Sequence, residues 1–333
     1  MKRLFALVLV LCILLSGCAA PRQYSLVYLD LFDTVTTVKG TASSEAAFSQ
    51  TAQDIYTRLA HFHKLFDIYN DYEGLTNLKT VNDMAGIAPV VVDSAIIELL
   101  LACKDYCTLT GGTVNAAMGS VLQLWHQART AALEDPETAR LPAADALSEA
   151  AKHTDFDDVI IDEAASTVYI RDPLLRLDVG AIAKGWVCQK IVSEMPEGWL
   201  ISLGGNVCVT GAKGGDTPWI VGIQNPDGSD YLQTLALTKG AAVTSGDYQR
   251  TYTVDGKAYH HIIDPATGMP GGDFRSVTVV CDDAALADAL STALFLLPLE
   301  EGQALAQRCN VQALWLDAQN QQHTTPGFRE LIP

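Results

Sequence analysis

Hydrophobic positions recur at helical spacing in the first half of the chain. Residues 43–66, 93–109 and 116–128 each place apolar side chains on one face of a helix, so the pattern predicts three helices. Residues 24–39 alternate instead and are rich in β-branched side chains, which predicts a strand or a hairpin arm. Residues 129–156 are polar, carry two prolines and are predicted to form a surface excursion or a helical insert.

The second half begins with short apolar runs typical of strands, namely VIID, TVYI, LRLD, WLISL, WIVGI and later SVTVVC. Asp255-Gly256, between two alternating runs, predicts a hairpin. Residues 284–297 predict a long helix, a second helix starts near 300, and a strand follows at 311–316. Because helices and strands come in blocks, the order favours an α+β fold, built as one large domain or two closely packed lobes.

The first residues have a different pattern. Lys2 and Arg3 precede an apolar run that is too short to span a bilayer comfortably, and the run ends in small residues before Cys18. This stretch resembles a bacterial lipobox, in which cleavage leaves a lipid-modified cysteine at the new N-terminus. We therefore predict a signal peptide over 1–17, a lipidated tether over 18–23 and the folded domain over 24–333. The alternative is a plain secretory signal with a chance cysteine.

A lipid anchor of this kind predicts a protein held at the extracytoplasmic face of the bacterial cell membrane. The formal net charge of −17 argues against general nucleic-acid binding, since no basic field attracts phosphates. Any phosphate-bearing ligand must instead be held by local groups such as a helix N-terminus, a lysine or a metal ion.

The cysteine pattern argues against zinc and thioredoxin-type chemistry. No CxxC pair occurs, and most of the cysteines stand singly in apolar runs that favour burial. Cys103 and Cys107 lie four residues apart on a predicted helix and share a face, and an exported protein permits disulfides. Their pairing stays open.

The segment LRLDVGAIAKGW, at 175–186, combines several groups suited to a phosphate. Asp178 follows a predicted strand, Gly180 permits a tight turn, and Lys184 falls in the first turn of a helix that begins near Ala181. Free N–H groups at a helix start and a nearby lysine suit a pyrophosphate. A plain strand–turn–helix junction with a capping aspartate explains the same residues.

A candidate metal site lies on the late helix, in LADALSTAL. Asp288 and Thr292 are four residues apart and share a face. Carboxylate and hydroxyl oxygens are hard ligands that suit Mg²⁺, which completes its shell with substrate phosphate and water. A buried threonine beside an aspartate near a helix start is the commoner explanation of such a pair.

Four motifs together resemble the ApbE family of flavin transferases, the FAD:protein FMN transferases. They are LDVGAIAKG, SLGGN, TSGDYQRTYTVDGKAYHHIIDPATG and LADALSTA, and the resemblance extends from residue 32 to residue 297. It implies an ApbE-like, T-fold-like α+β fold of mixed sheets flanked by helices. It also implies Mg²⁺-dependent transfer of FMN from FAD to a threonine hydroxyl of a target protein, with release of AMP. Typical targets are subunits of membrane redox complexes and extracytoplasmic flavin reductases.

The resemblance also assigns residues. Asp178 and Lys184 would contact FAD, while the Ala181 carbonyl, Asp288 and Thr292 would hold Mg²⁺. The residues expected against the flavin are Phe32, Tyr69, Thr113, Val114, Asn115 and Ile263. One departure concerns GGTVNAAMG, where Asn115 and Ala117 replace the aspartate and threonine that the family often shows.

The run YHHIIDPATG contains the candidate general base. Because a free histidine titrates near neutral pH, His261 is expected either to accept the threonine proton or only to anchor the loop. His260 is expected to face away along a strand. Two other activities fit the same residues. One is a Mg²⁺-dependent FAD pyrophosphatase that yields FMN and AMP, and the other is a non-catalytic FAD-binding lipoprotein.

Overall fold

An eight-stranded sheet forms the centre of the structure, a computed structural model that describes residues 22–228 and 230–333. Its strands, in spatial order, are β1 (Arg22–Leu31), β2 (Thr34–Ala42), β6 (Trp199–Leu203), β7 (Asn206–Val209), β10 (Gly240–Gly246), β13 (Phe274–Cys281), β14 (Gln312–Asp317) and β15 (Gln322–Thr324). Each neighbouring pair is antiparallel. The predicted signal peptide and Cys18 lie outside the described residues.

Smaller sheets and the helices surround this sheet. The remaining strands are β3 (Val90–Val91), β4 (Val159–Asp162), β5 (Thr167–Ile170), β8 (Trp219–Gln224), β9 (Tyr231–Leu237), β11 (Tyr252–Val254) and β12 (Lys257–Tyr259). The helices are α1 (Glu45–Leu65), α2 (Leu78–Asp83), α3 (Ser94–Leu109), α4 (Gly119–Glu134), α5 (Ala144–Ala150), α6 (Ala183–Val192), α7 (Ala284–Leu296) and α8 (Leu299–Arg308). Separate antiparallel sheets with helices confirm the α+β class.

The main core lies between one face of the large sheet and helices α1, α6 and α7. Phe48 of α1 stacks on Trp199 of β6 with ring centroids 5.4 Å apart. The opposite face of the sheet is covered by the β8–β9 hairpin, where Trp219 and Leu235 are buried together with Phe328. Burial on both faces holds the central strands rigidly in place, and these strands carry one wall of the site.

Helix α1 shows why the first helix was predictable. Its start is capped by the Ser44 hydroxyl, which accepts a hydrogen bond from the Ala47 N–H at 3.2 Å. Its buried face repeats at helical spacing through Ile55 and Leu59, as the sequence indicates. The polar segment 129–156 also matches the predicted helical insert, because it contains the end of α4 and all of α5.

The prediction of a strand at LRLD was wrong. The segment makes only an isolated bridge, between Arg176 and Met118. The buried side chain of Asn82 satisfies the backbone of Leu177 instead, accepting from its N–H at 2.7 Å and donating to its carbonyl at 3.0 Å. A side-chain amide thus makes the hydrogen bonds that a neighbouring strand would make. The pattern of apolar residues does not reveal such a substitute.

Two further predictions concern helices and cysteines. Helix α6 begins at Ala183, slightly later than expected, because the N–H of Ile182 bonds to the Val179 carbonyl at 3.0 Å in a preceding turn. Cys103 and Cys107 are free thiols, as are the other cysteines of the described ranges. Within residues 22–228 and 230–333, no helix has the length and apolarity to cross a membrane.

Candidate active site

A cavity of about 370 Å³ gathers nearly all the predicted site residues. Those that line it are Tyr69, Thr113, Val114, Asn115, Asp178, Ala181, Lys184, His261, Ile263, Asp288 and Thr292. They come from loops and helices separated by more than 200 positions in the sequence, so the fold brings them together. A cavity of this size suits a small-molecule ligand.

Phe32 is the exception. It lies in the turn between β1 and β2, where Phe32 and Asp33 both adopt left-handed backbone conformations with φ of 53° and 51°. The turn directs Asp33 and Thr34 to the cavity, while the Phe32 ring packs edge-on against His63. The sequence therefore indicated the correct turn but the wrong residue, because Asp33 and Thr34, one and two positions after Phe32, line the cavity.

The Asp288 carboxylate lies at the inner end of the site, on α7. Only 4% of this residue is exposed, and its Oδ2 accepts a hydrogen bond from the Gly185 N–H at 2.8 Å. The Lys184 ammonium lies 3.9 Å from the same oxygen. Burial raises the pKa of Asp288, and the positive charge of Lys184 opposes this effect.

Close contact between α6 and α7 makes this geometry possible. A Cβ at Gly185 would lie 2.3 Å from the Ala284 carbonyl oxygen and 2.5 Å from the Asp288 Cβ. No side chain fits at that position without moving one of the two helices. Gly185 is therefore required by packing, and its N–H reaches the carboxylate because nothing stands between them.

The proposed ligand set for Mg²⁺ fits the residues present. Thr292, Ala181 and Asp288 all line the cavity and offer a hydroxyl, a backbone carbonyl and a carboxylate, the hard oxygen donors that Mg²⁺ prefers. The described residues contain no cluster of three or more His, Cys, Asp or Glu side chains placed to share a metal. A buried carboxylate with a raised pKa lacks a full countercharge, which a divalent cation would supply.

Asp178 and Lys184 form the adjoining wall. The Asp178 Oδ1 accepts from the Gly180 N–H at 2.9 Å, and the Lys184 ammonium donates to the Gly180 carbonyl at 3.2 Å. Asp178 is accessible from the cavity but surrounded by protein, and burial raises its pKa while Gly180 and the charge of Arg250 oppose the rise. Both side chains are held by the same short turn.

His261 is held in one tautomer. Its Nδ1 lies 3.1 Å from the Gln249 carbonyl oxygen. Because a carbonyl only accepts, Nδ1 carries the proton and Nε2 is left as a proton acceptor. Burial, reinforced by the charges of Arg250 and Lys184, lowers the pKa of His261 to about 3, so the ring is neutral at neutral pH.

The expectation that His260 faces away was wrong. His260 also lines the cavity, packs edge-on against Phe295 and accepts the Ile262 N–H through Nδ1 at 3.2 Å. Burial lowers its pKa to about 4. Tyr259 ends strand β12, so the backbone leaves the strand before His260 and strand alternation does not apply.

The predicted turn after the two histidines is present. The Gly268 N–H bonds to the Asp264 carbonyl at 2.8 Å, and Gly268 has a left-handed φ of 67°. The Gly268 carbonyl in turn accepts from Trp125 Nε1 at 2.8 Å, which fastens the turn to α4. The turn thus secures the loop that carries His261 to a helix from a distant part of the chain.

One wall of the cavity was not predicted from the sequence. Leu122, Trp125, His126 and Arg129 of α4 all line it, and His126 stacks on Tyr69 with centroids 4.6 Å apart. Their spacing places them on one helix face, and this spacing is the feature of the sequence that could have indicated the wall. In the sequence alone, that face resembles the ordinary buried face of a helix, because the residues that surround the cavity with it lie far away in the sequence.

A carboxylate, a lysine and a neutral histidine converge on one cavity of an α+β fold, which is the arrangement of an enzyme. The chain belongs to the ApbE family, whose model matches residues 32–315.

Individual relatives agree with this assignment. The FAD:protein FMN transferase of Treponema pallidum (strain Nichols) is 33% identical over 354 residues, covering 99% of this chain and 95% of the relative. The FAD:protein FMN transferase of Klebsiella pneumoniae (strain 342) is 31% identical over 268 residues, covering 76% and 81%. The crystal structure of the ApbE protein from Thermotoga maritima superposes with a TM-score of 0.82 at 28% identity, covering 94% of this chain and 100% of that protein.

Proposed function

We propose that this chain transfers the FMN moiety of FAD to a threonine hydroxyl of a target protein, uses Mg²⁺ and releases AMP. Flavin transfer is the activity of the family to which the chain belongs, and relatives that cover most of its length are named FAD:protein FMN transferases. The observation that carries the proposal is the convergence of Asp288, Lys184 and His261 on one cavity.

Charge neutralisation is the first requirement of phosphoryl transfer from a pyrophosphate. Mg²⁺ held by the Ala181 carbonyl, Asp288 and Thr292 would supply most of it. Lys184 contributes a further positive charge, and its ammonium is fixed at 3.2 Å from the Gly180 carbonyl rather than free to rotate. Preorganised charges of this kind lower the barrier because they need little rearrangement as the reaction proceeds.

His261 is the proposed general base. Its unprotonated Nε2 accepts the proton as the threonine Oγ forms a bond to the FMN phosphorus. The bond from that phosphorus to the bridging oxygen breaks, and AMP leaves with the electron pair. A pKa near 3 makes the free histidine a weak base, and the negative charge of bound FAD would raise that pKa toward the useful range.

The flavin would lie against the outer part of the cavity. Tyr69 is 48% exposed there, stacked on His126, and Thr113 to Asn115 line the same region. Asn115 has its own structural bonds, since its Nδ2 donates to the Thr154 carbonyl at 2.8 Å and its Oδ1 accepts from the Ala117 N–H at 2.8 Å. Asn115, which stands where the family often has an aspartate, thus stabilises the loop that would support the flavin.

The proposed setting is the extracytoplasmic face of a bacterial membrane, with a lipid anchor at Cys18. Target proteins would be FMN-accepting subunits of membrane redox complexes or extracytoplasmic flavin reductases. The lipobox-like sequence supports this setting, and the acidic net charge argues against nucleic-acid binding.

One incubation tests the proposal. Purified protein is mixed with FAD, Mg²⁺ and a candidate acceptor domain, and the products are followed by intact mass and nucleotide analysis. FMN on the acceptor with stoichiometric AMP supports the transferase, and replacing the acceptor threonine by valine should abolish the modification. Free FMN and AMP without modified acceptor would indicate a pyrophosphatase, and unchanged FAD would indicate a binding protein.

A further inference from the structure

Asn206 has a buried donor without a partner. The residue follows the Gly204-Gly205 turn between β6 and β7, is 2% exposed and lines the cavity. Among the described residues, its Nδ2 has no hydrogen-bond acceptor. A buried unpaired amide costs free energy, and such groups are retained in functional sites when a bound species or a rearranged neighbour satisfies them.

The amide faces the Asp288 carboxylate. Asp288 receives the Gly185 N–H on one side, with Lys184 nearby. The Asn206 side chain, at the start of β7, lines the same cavity as Asp288, and its contact with the carboxylate lowers the pKa of Asp288, although less than Lys184 and Gly185 do. The amide therefore contacts the carboxylate, but its Nδ2 does not reach hydrogen-bond geometry with any acceptor among the described residues.

We propose that Asn206 is a positioning residue for Asp288, and that its Nδ2 bonds to the carboxylate when a divalent cation binds there. This inference rests on the magnesium role of Asp288 in the proposed function. A carboxylate fixed by the Gly185 N–H alone can still rotate about that bond. A second donor from a rigid central strand fixes the carboxylate plane and leaves one lone pair for the cation.

The proposal predicts opposite effects on stability and on cation affinity. Asn206→Leu keeps a similar side-chain volume and removes the unpaired amide, so the cation-free protein should be as stable as the wild type or more stable. The same change removes the donor that orients Asp288. Loss of an outer-shell donor typically weakens metal binding by about 10–100-fold.

The test is a Mg²⁺ titration of the full chain, without FAD, by isothermal titration calorimetry, together with thermal unfolding in EDTA. For Asn206→Leu, we expect the Kd for Mg²⁺ to rise about 10–100-fold with an unchanged or higher Tm in EDTA. Asn206→Ser, a smaller change, should show the same direction of effect on Kd, which keeps the test valid if the leucine variant folds poorly.

Asn77 provides the matched control. It is fully buried, does not line the cavity, and its amide is satisfied, donating to the Asn70 carbonyl at 2.8 Å and accepting from the Thr80 N–H at 3.1 Å. Asn77→Ala should lower the Tm and leave the Kd for Mg²⁺ unchanged.

The titration distinguishes failure of the Asn206 proposal from failure of the magnesium proposal. Equal Mg²⁺ affinity in wild type and both Asn206 variants would overturn the positioning role while leaving the magnesium site intact. No Mg²⁺ binding by the wild-type chain, either in this titration or in a repeat with FAD present, would overturn the magnesium assignment of the proposed function, and with it the role of Asn206.

Discussion

The backbone N–H of Gly185 donates to Asp288 Oδ2 at 2.8 Å, across the contact between two helices. This bond ties the motif LDVGAIAKG to the motif LADALSTA, which lie about 100 positions apart in the sequence. The two motifs therefore form a single unit, because the packing of α6 on α7 and the orientation of the carboxylate depend on the same glycine.

Replacing Gly185 by alanine should damage both stability and activity. The added methyl group would lie 2.3 Å from the Ala284 carbonyl oxygen, so the helices must separate. We expect a loss of about 1–3 kcal/mol in the free energy of unfolding, measured by chemical denaturation, and a large fall in FMN transfer.

The control for this change is Gly302→Ala in α8. A Cβ at Gly302 would lie 3.5 Å from its nearest neighbour, an ordinary contact, so this variant should be as stable as the wild type or more stable by up to about 1 kcal/mol. Equal behaviour of the Gly185 and Gly302 variants would contradict the packing argument.

Asp288→Asn tests the carboxylate without changing its size. The cation-free variant should unfold at the same temperature as the wild type or higher, because the substitution removes a buried charge. FMN transfer should be lost at all practical Mg²⁺ concentrations, as measured by intact mass of the acceptor. Full transfer by this variant would show that Asp288 is not a ligand of the proposed magnesium site.

His261→Gln should reduce turnover more than substrate binding. A general base contributes about 10²–10⁴ to the rate, and we expect kcat to fall by a factor in that range with little change in the affinity for FAD. His323→Gln is the control, because His323 pairs with Asp317 and does not line the cavity. An unchanged kcat in the His261 variant would leave His261 with the structural role alone.

The same histidine predicts a pH dependence of stability. In the unfolded chain His261 takes up a proton near pH 6.5, whereas in the folded protein its pKa is about 3. Between these values the unfolded state binds more protons, so this residue makes stability fall as the pH drops from 7 toward 3. His260, with a folded pKa of about 4, acts in the same direction.

The effect of His261 has to be measured as a difference between wild type and a variant. Asp178 and Asp288 have raised pKa values in the folded protein, so they increase stability as the pH falls and partly mask the effect of the histidines. The free energy of unfolding is measured from pH 7.5 to 5 without FAD or Mg²⁺, for wild type and for His261→Gln. The variant should lose less stability on acidification. Parallel curves would show that His261 is already accessible to protons in the folded protein.

Local signals account for what was predictable from the sequence. Helix α7 is capped by Asp283, whose Oδ1 accepts from the Ala285 N–H at 2.8 Å, and its boundaries agree closely with the predicted ones. Asp178 and Lys184 lie within one short segment whose turn fixes both side chains. Short-range geometry of this kind can be inferred from residue types and spacing.

Long-range contacts account for what was missed. The α4 wall joins the histidine loop through Trp125 and Gly268, which are 143 positions apart. The backbone of Leu177 bonds to the side chain of Asn82 rather than to a strand. Neither pairing leaves a periodic signal in the sequence, and the left-handed turn at Phe32 shifted the cavity contact to Asp33.

The β1–β2 hairpin has a consequence for which acceptors can be reached. Strand β1 runs from Arg22 to Leu31 and leads directly to the turn that borders the cavity, a span of about 30 Å at the rise of a β-strand. The proposed lipid on Cys18 is only four residues before this strand, and four residues of any chain reach at most about 14 Å. The cavity would then work within a layer of about 45 Å above the bilayer, so the height at which a threonine is displayed would help to select the acceptor.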